Sequence, residues 1–379
     1  MEVGNTIMAE PSACPERIDL DGADDPRDVV HRAVACLAQG GLVGLPVETG
    51  YGLACSALHP ATVERLATFR SAGDARRPAV LLRHEDEAGD WATKLGDVGR
   101  KLARRGWPGP LTLVLPIGGT PSLAERLVAS VRTILVEDGA VAVRVPAEGL
   151  LREILRLAPG PVVTYEAPGL DRDPVHPLVK ALDMLITTSN LADETGTATA
   201  VRVEGDRWSV VSEGSISRAE VAALSGTLWL FVCTGNTCRS PMAEALCKVS
   251  LAKRLGCPVA DLVKRGYNVM SAGVGASDGS PAASHAIEVV AGRGGSLKLH
   301  ASRRTTPALL RKADLILALS GEHLDAVLDC APDVEDRVRM LHAEGLDIED
   351  PIGSDRATYG ETASEIERQI NRLLDELGL

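Results

Sequence analysis

Residues 228–246 constrain the fold of this chain more than any other stretch, because they join a short apolar run to the start of a helix through one tight loop. Residues 228–232 are apolar and rich in residue types that favour a strand. Residues 240–246 begin with a serine near the helix cap and a proline in the first turn. The loop between them is therefore a strand-to-helix turn, which indicates an α/β domain.

Three further segments of the second half fit the same α/β pattern. Residues 268–273 end in small residues and read as a strand, and residues 313–319 read as a buried parallel strand. Residues 362–377 predict an amphipathic helix, whose apolar face would carry Ile366, Ile370, Leu373 and Leu374.

The loop carries Cys233 at one end and Arg239 at the other. Backbone N–H groups at a strand-to-helix turn point inward, and with the positive end of the helix dipole they form a cradle for an anion. This field would favour the thiolate of Cys233, which is a nucleophile. Arg239 would bind two phosphate oxygens with its planar guanidinium. Gly235 would permit the sharp backbone and Asn236 would fix it. The pattern predicts phosphate cleavage through a cysteine.

Residues 232–241 read Val-Cys-Thr-Gly-Asn-Thr-Cys-Arg-Ser-Pro and resemble the signature of the low-molecular-weight protein tyrosine phosphatases. The resemblance extends over residues 227–379. It implies a phosphatase without a cofactor that forms a phosphocysteine on Cys233, with Arg239 as a second catalytic residue and a phosphorylated protein as substrate. A buried structural cysteine beside a helix cap is the alternative. The loop residues that would bind substrate are Thr234, Gly235, Asn236, Thr237, Cys238 and Ser240, of which Ser240 would also hydrogen-bond the thiolate.

The same resemblance implies a proton donor in the Asp-Pro pair at residues 350–351. Proline and glycine make this segment a loop, in which Asp350 could reach over the cradle. Asp350 would act as general acid for the leaving group and then as general base for water. Asp347 and Glu349 are alternatives for this role, and a solvated acidic loop with no catalytic role is another.

Two positions bear on the choice of substrate. Many family members have an aliphatic residue at the position of Thr237, whereas members that resemble bacterial protein-arginine phosphatases have threonine there, so Thr237 favours phosphoarginine. Ile352 stands where relatives of both kinds usually place an aromatic residue, and phosphotyrosine therefore stays open. Cys238 would form a reversible disulfide with Cys233 or simply pack into the loop. His300 is expected to be structural.

Residues 18–217 resemble the YrdC-like threonylcarbamoyl-AMP synthases, through ordered motifs at residues 41–53, 107–113 and 141–146. This resemblance implies a twisted α/β sheet with a basic cavity that binds ATP, threonine and bicarbonate, and a product used in tRNA modification. The candidate anion ligands are Arg76, Arg77 and Arg144, with surface arginines as the alternative.

The first half departs from that family where substrate would bind. Val47 replaces a threonine, and residues 69–78 lack the lysine of a lysine–arginine pair. A Thr-Ser-Ala-Asn element appears as residues 164–167, where Glu166 would repel the phosphates of ATP. We therefore expect an eroded site. An active synthase with an accessory phosphatase is one alternative, and a non-catalytic domain that binds a nucleotide or RNA and regulates the phosphatase is another.

The chain has 379 residues, 45% of them hydrophobic, which suffices for two cores. We predict two α/β domains, a YrdC-like twisted sheet over residues 17–222 and a parallel-sheet phosphatase fold over residues 227–379. A net charge of -12 and an aromatic content of 3% argue against a non-specific nucleic-acid binder.

Other sequence features favour a cytoplasmic protein. No apolar run reaches the length that spans a membrane, and residues 1–15 lack the basic start and apolar centre of a signal peptide. The eight cysteines show no disulfide spacing, and Cys233 must stay reduced to react. No Cys-x-x-Cys pair, His-x-x-x-His helix or Walker-type loop appears, so we expect neither a metal site nor a P-loop NTPase.

Overall fold

The computed structural model describes residues 15–71, 73–92, 95–118, 122–167, 170, 177–191 and 196–379. The chain divides into two compact units, Met1–Val221 and Ala222–Leu379, and each is described by itself. Residues 1–14, which include most of the segment where we expect no signal peptide, lie outside the described residues. None of the described helices combines the length and apolar character needed to cross a membrane.

The first unit is built on a mixed sheet with the strand order β1-β9-β2-β3-β8-β4-β7-β5-β10-β11, in which β6 pairs with β7. Its described strands are β1 (Glu16–Asp19), β2 (Val43–Val47), β3 (Gly50–Ser56), β4 (Ala79–Leu81), β5 (Leu111–Pro116), β6 (Val136–Glu137), β7 (Ala140–Arg144), β8 (Val162–Glu166), β9 (Met184–Thr187), β10 (Thr199–Glu204) and β11 (Arg207–Ser212). Its described helices are α1 (Pro26–Ala38), α2 (Pro60–Ala67), α3 (Ala88–Trp91), α4 (Asp97–Gly106), α5 (Leu123–Arg126), α6 (Ala129–Leu135) and α7 (Gly149–Leu157). A helix α8 (Arg218–Ser225) runs across the point of division.

The motifs of the first half form neighbouring parts of this sheet. Residues 41–53 contain β2 and most of β3, which pair antiparallel around a turn at Glu48 and Thr49. Residues 107–113 lead into β5, and residues 141–146 contain most of β7, its antiparallel neighbour. Strand β8, which ends at Glu166, pairs with both β3 and β4. Strand β4 separates β7 from β8, and the side chains of Arg144 and Glu166 meet across it, with Arg144 Nη1 3.0 Å from Glu166 Oε1.

The second unit is a four-stranded parallel sheet with the order β13-β12-β14-β15. Its strands are β12 (Thr227–Cys233), β13 (Tyr267–Gly273), β14 (Leu315–Ala318) and β15 (Val338–Met340). Its helices are α9 (Arg239–Leu255), α10 (Ser284–Ala291), α11 (Pro307–Lys312), α12 (Gly321–Cys330) and α13 (Arg356–Glu376). The predicted α/β class is confirmed, and the second sheet is parallel as expected.

Strand β12 is buried on both faces, which explains why its sequence is continuously apolar. Leu228, Leu230 and Val232 pack into a core that includes Leu310 and Val327 from α11 and α12. The alternate side chains, which include that of Cys233, face a second core formed largely by α9, α10 and α13. This alternation directs the Cys233 side chain towards the helix that follows the loop.

The last helix begins earlier than the sequence predicts. It starts at Arg356 rather than at residue 362, because Asp355 caps it by accepting a hydrogen bond from the main-chain N–H of Thr358 at 3.0 Å. The first turns contain Gly360 and few apolar residues, so hydrophobic periodicity does not reveal them. The predicted apolar face is correct, since its four residues, Ile366, Ile370, Leu373 and Leu374, are buried.

Candidate active site

Cys233 lies at the end of β12, and α9 begins six residues later at Arg239. The Cys233 side chain is buried, with 3% of the residue exposed. Its Sγ lies 2.9 Å from Ser240 Oγ and accepts a hydrogen bond of 3.3 Å from the main-chain N–H of Asn236. The sulfur thus has one main-chain N–H donor and one neighbouring hydroxyl within hydrogen-bond distance.

Asn236 holds the loop in shape. It has a φ of 55°, in the left-handed region that asparagine tolerates better than most residues. Its side-chain amide donates to Ser240 Oγ and Ser271 Oγ, each at 2.9 Å, and its Oδ1 accepts from the main-chain N–H of Arg303. His300 Nε2 lies 2.8 Å from the Asn236 carbonyl oxygen, which gives His300 a contact that supports the loop.

Gly235 was expected to permit the sharp backbone of the loop, but it is not among the residues with a positive φ. The left-handed residue of the loop is Asn236, and a Cβ placed on Gly235 would meet only Thr237 Oγ1, at an ordinary contact distance of 3.6 Å. The sharp turn therefore depends on Asn236 and its hydrogen bonds, and glycine at 235 has no steric explanation in this structure.

Arg239 and Asp350 meet although they are far apart in the sequence. The Arg239 side chain is 9% exposed, and its Nη2 donates to Asp350 Oδ2 at 2.5 Å. Its Nη1 donates to the Ile348 carbonyl oxygen at 3.1 Å, which fixes the plane of the guanidinium. The Asp350 side chain stays partly exposed to solvent. The structure thus brings Cys233, Arg239 and Asp350 together around one loop.

Asp347 and Glu349, the two alternatives to Asp350 as the general acid, have different surroundings. Asp347 Oδ1 accepts a hydrogen bond of 2.8 Å from the main-chain N–H of Gly321, at the start of α12. Glu349 is exposed to solvent. Of these three acidic side chains, Asp350 is the one hydrogen-bonded to Arg239.

The remaining loop residues differ in exposure. Thr234 is exposed, and Gly235 and Thr237 are half-buried. Cys238 is buried, and its Sγ lies 3.2 Å from the hydroxyl of Tyr359, which is buried too. Ile352, the residue that bears on the choice of substrate, is 69% exposed.

His323, which no sequence pattern indicated, contacts the loop from α12. His323 Nε2 lies 2.8 Å from Thr234 Oγ1, and its Nδ1 lies 2.7 Å from Ser320 Oγ. Burial, together with the positive charge of Arg239, lowers the pKa of His323 to about 4, so the ring is neutral at neutral pH. A serine three residues before the histidine signals a helix cap, but nothing in the sequence indicates a contact with Thr234.

In the first unit, Arg144 is buried, not at the surface, with 3% of the residue exposed. Its Nη2 lies 2.6 Å from Glu48 Oε1, and its Nη1 donates to Glu166 Oε1 at 3.0 Å. Glu166 also accepts hydrogen bonds from Thr49 Oγ1 at 2.9 Å and from the main-chain N–H of Ala198 at 2.8 Å. Arg144 and Glu166 therefore form an ion pair that is largely shielded from solvent.

The other two candidate anion ligands also face carboxylates. Arg76 pairs with Asp74 at 2.6 Å, and Arg77 lies 3.3 Å from Glu137. The cavity that all three arginines line measures about 30 Å³, whereas sites for small molecules usually measure about 300–1,000 Å³. Across the described ranges, no group of three or more His, Cys, Asp or Glu side chains is arranged to hold a metal ion.

Comparison with known proteins identifies both halves. A family model for low molecular weight phosphotyrosine protein phosphatases matches residues 229–378. A protein-arginine-phosphatase of Bacillus subtilis is 39% identical over 152 residues, which cover 39% of this chain and 95% of that protein. The chain belongs to the low molecular weight phosphotyrosine protein phosphatase family. The second half is thus that of a phosphoric monoester hydrolase, as predicted.

Other members of the phosphatase family are also similar. A probable low molecular weight protein-tyrosine-phosphatase of Ralstonia nicotianae is 35% identical over 38% of this chain and 90% of its own length. A crystal structure of a YwlE mutant from Bacillus subtilis is 35% identical, covers 41% of this chain and all of its own, and has a TM-score of 0.36. A second family model, Sua5/YciO/YrdC, described as telomere recombination, matches residues 35–204. The predicted fusion of a YrdC-like half with a phosphatase half is confirmed.

Proposed function

We propose that the domain at residues 227–379 hydrolyses phosphorylated protein side chains through a phosphocysteine intermediate, with Cys233 as nucleophile, Arg239 as phosphate ligand and Asp350 as acid and base. The observation that carries this proposal is the ion pair between Arg239 and Asp350 beside the loop that contains Cys233. A nucleophile, a cation for the transferred group and a proton donor are the parts that this displacement requires. The mechanism needs a reduced thiol, which favours the cytoplasm, and it needs no cofactor.

In the first step, the Cys233 thiolate attacks phosphorus and the bond to the leaving group breaks. Loop N–H groups and Arg239 bind the phosphoryl oxygens, and protonated Asp350 gives its proton to the leaving atom. A phosphate dianion competes with Asp350 for Arg239, so substrate binding would release the carboxyl group to take up a proton. This exchange places the acid beside the leaving group when it is needed.

In the second step, water attacks the phosphocysteine. Asp350, now ionised, accepts a proton from that water, inorganic phosphate forms, and the Cys233 thiolate leaves. The hydroxyl of Ser240 and the N–H of Asn236 lie within hydrogen-bond distance of the sulfur, so they would stabilise the thiolate as it leaves.

We propose phosphoarginine as the preferred substrate, with phosphotyrosine as the second candidate. Thr237 is a half-buried residue of the loop that contains the nucleophile, and it could offer its hydroxyl to the polar guanidinium group of phosphoarginine. Ile352 supplies no ring on which a phosphotyrosine side chain could stack. One relative is named a protein-arginine-phosphatase and another a probable protein-tyrosine-phosphatase, so the relatives support either substrate. The preference for phosphoarginine therefore rests on Thr237 and Ile352.

Replacing Thr237 with isoleucine should move the preference towards phosphotyrosine. The change removes the hydroxyl and adds an apolar wall, and the loss of one polar contact is expected to shift the ratio of kcat/KM for phosphoarginine and phosphotyrosine peptides by about 10-fold or more. Thr237→Ser is the matched control, because it keeps the hydroxyl and should keep the preference. An unchanged ratio in Thr237→Ile would show that Thr237 does not set specificity.

For the first half, we infer a YrdC-like domain whose synthase site is closed by its own carboxylates. Glu48 and Glu166 both form ion pairs with the guanidinium of Arg144. A phosphate that approached Arg144 would be repelled by these two carboxylates. The small cavity and the pairing of Arg76 and Arg77 support the same conclusion. We therefore propose that this cavity binds neither ATP nor threonine nor RNA.

The wild-type protein should release no pyrophosphate from ATP in the presence of threonine and bicarbonate. Glu166→Ala removes one of the two carboxylates paired with Arg144 and should therefore let Arg144 bind an anion. We expect calorimetry to detect pyrophosphate binding in that variant but not in the wild type. Glu153→Ala, which removes an exposed ion pair with Arg156, is the control. Pyrophosphate release by the wild type would instead support a working synthase with an accessory phosphatase.

A further inference from the structure

We propose that His323 is a positioning residue of the phosphatase, which fixes the hydroxyl of Thr234, one of the loop residues expected to bind substrate, for a phosphoryl oxygen. The proposal rests on the proposed function of the loop. His323 is a buried histidine that takes no direct part in either step of the proposed reaction.

The location of Thr234 is the first observation. It follows Cys233 directly and is exposed, whereas Cys233 is buried, so Thr234 is a solvent-accessible residue next to the nucleophile. A mobile threonine at such a position would lose rotational freedom on binding. Here the hydroxyl is already held by His323 Nε2 at 2.8 Å.

The attachment of His323 is the second observation. The residue is 3% exposed and lies in the first turn of α12, where Ser320 caps the helix by accepting a hydrogen bond from the main-chain N–H of His323. Ser320 Oγ also lies 2.7 Å from His323 Nδ1. Both ring nitrogens of His323 thus have a hydrogen-bond partner, and the hydroxyl of Thr234 is hydrogen-bonded to a residue of α12.

We infer the tautomer of the neutral ring that carries its proton on Nε2. In that tautomer the Ser320 hydroxyl donates to His323 Nδ1, and His323 Nε2 donates to Thr234 Oγ1. The Thr234 hydroxyl proton is left to donate to another acceptor, and phosphoryl oxygens are strong acceptors.

The charged groups around the ring favour this arrangement. Burial and Arg239 keep the ring neutral, while Asp350 and Asp347 act in the opposite direction with less effect. A threonine that donates to the phosphoryl group would serve phosphoarginine and phosphotyrosine alike. Thr234 therefore differs from Thr237, which is proposed to act on the ratio between the two substrates.

The test compares Thr234→Val with the wild type on both peptides. Loss of one hydrogen bond to a charged group is expected to lower kcat/KM about 10-fold for each substrate and to weaken competitive inhibition by inorganic phosphate to a similar extent. His323→Leu should give the same loss, and the double variant Thr234→Val/His323→Leu should be no worse than either single variant. His323→Gln, which retains a donor, should recover most of the activity.

The possible outcomes separate this inference from the proposed function. If the wild type hydrolyses neither peptide, the proposed function fails. If the wild type is active and Thr234→Val has unchanged kcat/KM and phosphate inhibition, the present inference alone is wrong. Losses that add in the double variant would also overturn it, because they would mean that the two residues act separately. Thr234→Val and His323→Gln keep the test decisive if His323→Leu does not fold.

Discussion

Replacing Cys233 with serine is expected to abolish hydrolysis of a generic aryl phosphate, with a loss of about 10⁴-fold or more in kcat. Serine has nearly the same shape, so the loop should still form and bind phosphate. Its hydroxyl is not ionised at neutral pH, and no histidine or other general base contacts Cys233 among the described residues. The measurement is the initial rate with p-nitrophenyl phosphate at saturating substrate.

Cys257→Ser is the matched control for this experiment, because Cys257 is a partly buried free cysteine of the same domain that does not belong to the loop. It should retain wild-type activity. Retained activity in Cys233→Ser would remove the basis for the phosphatase mechanism, since the nucleophile would have to be another residue.

Replacing Asp350 with alanine should lower kcat by about 10²–10⁴-fold, with a much smaller change in KM. The carboxyl group acts on the leaving atom and on water, whereas the loop and Arg239 bind the phosphoryl group. The loss should be largest for a leaving group that needs a proton, such as a simple alkyl alcohol, and smaller for p-nitrophenolate. Steady-state kinetics with a series of leaving groups measures this dependence.

Two variants of neighbouring acids serve as controls. Asp347→Asn keeps an oxygen that can accept the hydrogen bond from Gly321, and Glu349→Gln alters an exposed side chain. Both should keep most of the activity. A large loss of kcat in either of them, together with an active Asp350→Ala variant, would mean that the general acid has been assigned to the wrong residue.

The loop and its surroundings are predictable from sequence because their signals are local. The apolar run of β12, the serine and proline at the start of α9, and the spacing of Cys233 and Arg239 lie within a short stretch. The contact of Arg239 with Asp350 spans 111 positions in the sequence. Periodicity and propensity carry no information about such a contact, so only the family resemblance indicated Asp350.

The contacts that the sequence did not indicate depend on how separate elements pack. His323 reaches Thr234 because α12 follows β14, the neighbour of β12 in the sheet. Arg144 was expected to be either an anion ligand or a surface residue, and its burial between Glu48 and Glu166 follows from the pairing of strands that are distant in sequence. The start of α13 was missed because a single capping residue, Asp355, determines it.

The most direct test of the proposed mechanism is to trap the phosphorylated enzyme. In Asp350→Ala, p-nitrophenolate still leaves without a proton donor, but the base for the attacking water is missing, so the intermediate should accumulate. Acid quenching followed by peptide mass spectrometry should find the mass of one phosphoryl group on the peptide that contains Cys233, and none on that peptide in Cys233→Ser. Turnover without any phosphorylated Cys233, or a phosphoryl group on a different residue, would contradict the phosphocysteine mechanism.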